Sequence, residues 1–250
     1  MAAHVHYNVA LSSFRQDLTN ITAENSHALF SCATLIVMIS FAQSCDSLST
    51  FSSTTNQECG PGVMKWLSLL RGVKSVLTET GEWVHTGPMA PLLYMRGPEG
   101  YSSNIGKVDE DVTAHLDSLS AAFVECAEPR VADVCVAATE LLRKSFAGMA
   151  FGSDSVFFWP VLVHKDYMSL LELNIPEALM VLASYCVLLH TKNWCWWIEG
   201  WPANMLRKIE GIINEQWRAW LWWPLHVISN EDNGRRKENV LIVTEGACCQ

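Results

Sequence analysis

Residues 175–190 read IPEALMVLASYCVLLH, with no charged side chain between Glu177 and His190. Pro176 suits the first turn of a helix, where its missing N–H has no partner to lose. Glu177 and His190 lie where they offset the positive and negative ends of the helix dipole. A helix that is apolar on every face must be surrounded by other elements. The stretch therefore predicts a central, buried helix.

The rest of the chain repeats apolar residues at helical spacing around this segment. Helices are predicted over residues 4–18, from a Thr22 cap to the polar stretch 47–56, and over 63–80, 109–125, 129–147, 201–215 and 217–227, with a break at Pro224. Only residues 240–243 look like a strand. The predicted fold is all-α: a single helical domain, residues 1–228, around the central apolar helix, and a polar tail, residues 229–250.

Composition excludes several classes of protein. Of 250 residues 50% are hydrophobic and 17% are charged, which argues against a disordered chain. The formal net charge of −9 argues against direct binding of nucleic acid, because that affinity comes from neutralised phosphates. Nine cysteines form an odd set without a C-x-x-C motif, which indicates thiols in a reducing compartment. We therefore expect an intracellular protein, in the cytoplasm, the nucleus or both.

One segment, residues 28–45, carries no charge. Its clean apolar part, residues 35–42, is far shorter than the roughly 20 residues that cross a bilayer. The segment also follows no basic stretch of the kind that opens a signal peptide. We predict a buried helix here and no membrane span.

Tryptophan is the most informative residue type in the chain. Eight of the eleven tryptophans lie between Trp194 and Trp223. Such a cluster either joins helices in a core or lines an aromatic pocket, and ligand sites are mostly apolar with few polar groups. We predict a Trp-rich hydrophobic pocket. Its candidate ligand-binding residues are Trp159, Tyr185, Trp197, Trp201 and Trp220.

The sequence offers little support for catalytic, cofactor-binding or metal-binding motifs. The sequence has no G-x-G-x-x-G, P-loop, G-x-S-x-G or H-E-x-x-H motif, so no cofactor is expected. His4-Val-His6 has a spacing that gives little support to a metal site, and Asp109-Glu-Asp111 is better explained as the start of a helix. No metal ligands are predicted.

An ordered set of short motifs resembles a known family. The motifs are Trp66-Leu-x-Leu-Leu-Arg-Gly72, Phe158-Trp-Pro160, Leu170-Leu171, Pro176-Glu-Ala-Leu179, Leu188-Leu-His190, Trp196-Trp197, Gly200-Trp201, Trp217-Arg218 and Trp223-Pro224, together with residues 7–42. Their order and spacing resemble the regulatory, ligand-binding domain of fungal binuclear zinc-cluster transcription factors, in particular the sterol uptake control protein group. The resemblance covers most of residues 4–227.

The resemblance implies an all-helical domain whose hydrophobic pocket accepts a sterol in the sterol-responsive members. The resemblance also implies that ligand occupancy of this pocket governs nuclear entry and transcriptional activation. The six closely spaced cysteines of the zinc cluster are absent from this sequence, as is the basic region beside them. The predicted function is therefore a stand-alone regulatory domain that binds a sterol, terpenoid or polyketide-like molecule and regulates a lipid or secondary-metabolite pathway. DNA would be contacted by a partner or by sequence outside this chain, or it would not be contacted at all. The expected protein partner is a second copy of the chain or another transcription factor.

The alternative is a biosynthetic enzyme. An apolar, Trp-lined cavity could serve a cofactor-independent cyclase or isomerase acting on a terpenoid or polyketide, since aromatic faces stabilise cationic intermediates. The acid–base candidates are Asp166, Glu172, His190 and Glu199. Each also has an ordinary explanation as a helix-end, capping or solvated charge.

Overall fold

The computed structural model describes residues 2–49, 60–93, 110–150 and 155–247. These ranges contain α-helices, two short 3-10 turns and no strand, which confirms the all-α prediction. The helices are α1 (Ala2–Asp17), α2 (Ala23–Ser49), α3 (Gly60–Thr86), α4 (Glu110–Cys126), α5 (Pro129–Ala150), α6 (Phe158–Leu162), α7 (Lys165–Glu172), α8 (Pro176–His190), α9 (Trp201–Ile212) and α10 (Glu215–Ala247), and the 3-10 turns cover Ala90–Leu93 and Ser155–Phe157.

Helix α8 is the centre of the molecule, as the sequence predicts. Every residue from Ala178 to His190 is buried, and α5, α7, α9 and α10 pack around the helix. Its axis turns by 106° from that of α7. Asn174 allows this turn by adopting a positive φ of 52°, a conformation that asparagine tolerates better than most residues.

Local signals set the start of α2. The Asn25 backbone N–H donates to Thr22 Oγ1 at 3.4 Å, and the Thr22 N–H donates to Asn25 Oδ1 at 2.8 Å. This reciprocal pair is a capping box, with asparagine in the place that glutamate or glutamine commonly takes. The predicted Thr22 cap is confirmed.

Helix α3 runs to Thr86, beyond the predicted end at residue 80. It passes through Gly81, which is unfavourable in a helix by about 1 kcal/mol relative to alanine. Val84 is fully buried in a small second core with Leu29 and Phe30, and this packing outweighs the weak local propensity.

Helix α2 includes the uncharged segment that the sequence predicts to be buried. Its stretch Ala23–Gln43 is long and apolar enough to cross a membrane. Leu29, Phe30, Val37 and Phe41 of this stretch are buried in the two hydrophobic cores, mainly against α3, which is the packing expected of a core helix. The rest of the helix is more exposed, with Leu35 at 55%, so the prediction of a buried helix is confirmed for one side of α2.

The carboxyl-terminal region differs from the sequence prediction in two ways. Pro224 does not break the last helix but lies inside α10, where it removes one hydrogen bond. Burial of Trp217, Leu221 and Ile228 on one side of α10 offsets this loss. Residues 240–243, predicted as a strand, are helical; a run of four apolar residues does not fix a period, and no strand lies in the described ranges to pair with it. The predicted domain boundary at residue 228 falls within α10 and stays a prediction.

Candidate functional site: an apolar cavity beside an aromatic core

A cluster of buried aromatic side chains, contributed by six helices and by the connection between α8 and α9, fills the centre of the molecule. Its members are Phe41, Trp66, Trp159, Tyr167, Tyr185, Trp197 and Trp201, and we call them the aromatic cluster. Ring centroids of neighbours lie 4.6 Å (Trp159 and Tyr185) to 6.1 Å (Trp66 and Tyr185) apart. These spacings are those of favourable aromatic pairs, so the cluster joins α2, α3, α6, α7, α8 and α9 into one core.

The polar atoms of the aromatic cluster are only partly satisfied. Trp159 Nε1 donates to the Ala138 carbonyl at 2.8 Å, and the Tyr167 hydroxyl donates to the Ala178 carbonyl at 2.9 Å. Trp66 Nε1, Trp201 Nε1 and the Tyr185 hydroxyl are buried with no hydrogen-bond partner among the described residues. Burial raises the pKa of the Tyr185 hydroxyl well above its usual value, so this group stays protonated. Three buried donors are thus left without an acceptor in the described part of the chain.

An apolar cavity of about 390 Å³ lies beside this cluster. We call it the α2–α3 cavity, because these two helices form most of its wall and α6 forms its edge. It is lined by Phe30, Thr34, Val37, Met38, Leu70, Val73, Lys74, Leu77, Leu93, Phe157, Phe158, Val161, Leu162 and Trp197. Its volume lies in the range of small-molecule sites, roughly 300–1,000 Å³.

Two polar side chains, Thr34 and Lys74, line the α2–α3 cavity, and no carboxylate is among its lining residues in the described ranges. The Thr34 hydroxyl donates to the Phe30 carbonyl at 2.9 Å, which leaves only its lone pairs for a ligand. Phe158 and Leu162 on α6 keep more than half of their surface exposed at the edge of the cavity. The cavity therefore suits a predominantly hydrophobic molecule with few polar atoms.

A second cavity is wider and more polar. It is a groove of about 580 Å³ between α4 and α10, which we call the α4–α10 groove. Helix α4 contributes Asp111, His115 and Ser118 to its wall, and α10 contributes three tryptophans and His226. The two cavities share no lining residue.

The five predicted ligand-binding residues do not surround one cavity. Trp197 lines the α2–α3 cavity, and Trp220 lines the α4–α10 groove. Trp159, Tyr185 and Trp201 are fully buried in the aromatic cluster and line neither of these cavities. Most of the predicted pocket is therefore core, and ligand contact by these residues stays a prediction.

The four acid–base candidates of the enzyme alternative lie apart from one another. Asp166 is on α7 beside His164, with 3.5 Å between Asp166 Oδ2 and His164 Nδ1. Glu172 and Glu199 are exposed. His190 is buried, and its Nε2 lies 3.2 Å from Asp232 Oδ1 on α10. None of the four lines the α2–α3 cavity or the α4–α10 groove.

Apart from Trp197, sequence reasoning missed the residues that wall the α2–α3 cavity. Leu70, Val73 and Leu77 form one face of α3, and the sequence shows this face as an amphipathic pattern. The pattern indicates which side of a helix is apolar, but not whether that side meets another helix or an empty space.

Metal and disulfide chemistry are not apparent in the described ranges. These ranges hold no group of three or more His, Cys, Asp or Glu side chains that could bind a metal ion. Cys32, Cys126 and Cys135 carry free thiols, as the cysteine pattern predicts. Burial, with the nearby charge of Glu177, raises the pKa of Cys135 to about 12, so this thiol is unreactive at neutral pH. Cys59, Cys248 and Cys249 lie outside the described residues.

Two curated relatives match most of the chain. It is 23% identical over 242 residues, 90% of its length, to a Zn(2)-C6 fungal-type transcription factor of Gibberella zeae. It is 25% identical over 214 residues, 78% of its length, to sterol uptake control protein 2 of Candida albicans. The resemblance to fungal zinc-cluster transcription factors is confirmed.

The match covers only part of each relative. The chain spans 47% of the length of the Gibberella zeae protein and 29% of that of the Candida albicans protein. No family model matches the chain, and no solved structure matches it.

Proposed function

We propose that this chain is a regulatory domain of the fungal transcription-factor type that binds a hydrophobic small molecule in the α2–α3 cavity. One observation carries the proposal: an apolar cavity of ligand size is present in a chain that is similar over 90% of its length to a fungal transcription factor. The name of the Candida albicans relative favours a sterol over a terpenoid or a polyketide as the class of ligand.

The walls of the cavity suit such a ligand. Aliphatic side chains of α2 and α3 line the cavity together with Trp197 and the phenylalanines Phe30, Phe157 and Phe158. Burying apolar ligand surface contributes roughly 25 cal/mol per Å², so a polycyclic hydrocarbon skeleton gains most of its affinity without hydrogen bonds. Thr34 and Lys74 remain for a polar group of the ligand.

Arg71 links α3, which forms part of the cavity wall, to α6, which forms the cavity edge. Its guanidinium, on α3, donates to the Pro160 carbonyl at 3.4 Å and to the Val163 carbonyl at the end of α6. A ligand held between α3 and α6 would add contacts to this junction and stabilise the folded domain. Ligand binding would thus restrict the motion of α6 relative to the rest of the domain.

In such a regulator, this chain would not itself bind DNA. The net charge of −9 and the missing zinc-cluster cysteines favour contact through a partner transcription factor or through sequence outside this chain. A homodimer is the other partner expected from the sequence. A regulator of this kind would act in the cytoplasm, the nucleus or both.

The relatives do not favour the enzyme alternative, because both are named as regulators. The separation of Asp166, Glu172, His190 and Glu199 gives it no geometric support either. We do not carry it further.

Native mass spectrometry of the protein isolated from its own host tests the proposal. We expect a non-covalent adduct that organic extraction releases as an intact sterol. Incubation of the protein with that molecule should return it chemically unchanged. An adduct-free protein that also fails to take up sterols, terpenoids or polyketides from a lipid extract would contradict the proposal.

A further inference from the structure

The α4–α10 groove has an unusual wall of paired indole and imidazole rings. His115 stacks on Trp223 with 4.2 Å between ring centroids and 17° between planes. His226 stacks on Trp222 with 4.8 Å and 12°. Trp222 leaves 65% of its surface exposed, which is costly for an indole that only supports a core. Two rigid aromatic pairs thus face an open space of about 580 Å³.

His115 is held by a contact with the central helix. Its Nε2 lies 3.0 Å from Ser184 Oγ on α8, and the Ser184 hydroxyl donates to the Met180 carbonyl at 3.1 Å. This contact positions the imidazole ring against α8. Burial lowers the pKa of His115 to about 4, so the ring is neutral at physiological pH.

This pair does not have the properties of a nucleophilic dyad. Ser184 is fully buried and does not line the groove. A histidine with a pKa of about 4 is also a weak general base at neutral pH. His115 fits the role of a binding group instead.

The remaining polar groups of the groove complement a cation. Asp111 lies one helical turn before His115 on the same face of α4, and its carboxylate supplies an acceptor to the groove. His226 Nε2 lies 2.8 Å from Asn230 Nδ2 and so accepts a hydrogen bond there. No lysine or arginine is among the residues that the structure describes along the groove.

We propose that the α4–α10 groove is a second binding site, for a planar aromatic molecule that carries a protonated amine. The ring stacks on the exposed Trp222, and the ammonium group pairs with the Asp111 carboxylate. Aromatic walls favour such a ligand twice, by stacking on its ring and by cation–π attraction to its charge. The site does not depend on the hydrophobic ligand of the α2–α3 cavity.

Tryptamine and indole-3-acetate test the site, because they share one ring system and carry opposite charges. Isothermal titration calorimetry should show saturable one-to-one binding of tryptamine and at least tenfold weaker binding of indole-3-acetate. Equal affinity for the two compounds, or no saturable binding of tryptamine, would overturn the proposal.

Variants with matched controls locate the binding. Trp222→Ala should weaken tryptamine binding about fivefold or more, whereas Trp196→Ala should not, although its side chain is 69% exposed and thus similarly accessible. Asp111→Asn should weaken binding about threefold or more, whereas Glu110→Gln, one residue earlier in the same helical turn and outside the groove, should not.

All four substitutions replace exposed residues, so circular dichroism and thermal melting should show intact folds. Equal loss of binding in a variant and its control would place tryptamine elsewhere and overturn the proposal.

Discussion

At the scale of single residues, Tyr185 carries an unsatisfied polar group inside the aromatic cluster. Its hydroxyl is buried and has no hydrogen-bond partner among the described residues, so it contributes a desolvation cost and no bond. Tyr185→Phe should leave the free energy of unfolding unchanged or raise it by up to about 1 kcal/mol, since it removes only this group. Urea unfolding monitored by circular dichroism measures the effect. A loss of more than about 1 kcal/mol would indicate that the hydroxyl binds a water molecule or a ligand atom.

The lowered pKa of His115 makes the stability of the domain depend on pH. Its pKa is about 4 in the folded protein, against about 6.5 in the unfolded chain. Between these two values the unfolded chain binds more protons than the folded one, so acid favours unfolding. This contribution to stability is fully present above pH 6.5 and is lost as the pH falls from 6.5 to 4. At its limit the loss is on the order of 3 kcal/mol.

Proton NMR and unfolding experiments check this pH dependence. The His115 Hε1 resonance should not titrate above pH 5, and His115→Gln should flatten the decline in stability between pH 6.5 and 4. A His115 resonance that titrates near pH 6.5 would contradict the buried, neutral ring.

At the scale of elements, α8 should be the least tolerant of charge. Leu182 is fully buried, so Leu182→Asp places a carboxylate where no partner or water can reach it. The variant should lose at least about 4 kcal/mol of stability and fail to fold. Leu173→Asp is the matched control, because Leu173 is 71% exposed, and it should cost about 1 kcal/mol or less. Similar melting temperatures for the two variants would contradict the central position of α8.

The elements also show what local sequence can specify. Helix α8 was predictable because its proline, its glutamate and its unbroken apolar run all favour the same structure. Helix α10 was not, since Pro224 signals a break locally and only the burial of Trp217, Leu221 and Ile228 keeps the helix continuous. Packing partners that are distant in sequence decide such cases.

At the scale of the whole molecule, the tryptophans were a good guide to the core and a partial guide to the binding surfaces. Their abundance left a core and a pocket as alternatives, and Trp159 and Trp201 belong to the core, with Phe41 and Trp66. It did not predict the α2–α3 cavity, because a cavity is a space left between helices and has no residue pattern of its own. Only Trp197 connects the aromatic cluster to that cavity.

The most direct test of the central claim is the titration of the protein with Nile red, an uncharged dye that fluoresces in apolar surroundings. The account predicts saturable one-to-one binding that Val73→Phe weakens at least tenfold, because the added ring occupies the α2–α3 cavity. Val124→Phe, at a side chain that is 72% exposed on α4, should bind the dye as the unaltered protein does. Absence of saturable binding, or equal binding by the two folded variants, would contradict the claim that this cavity takes a hydrophobic ligand.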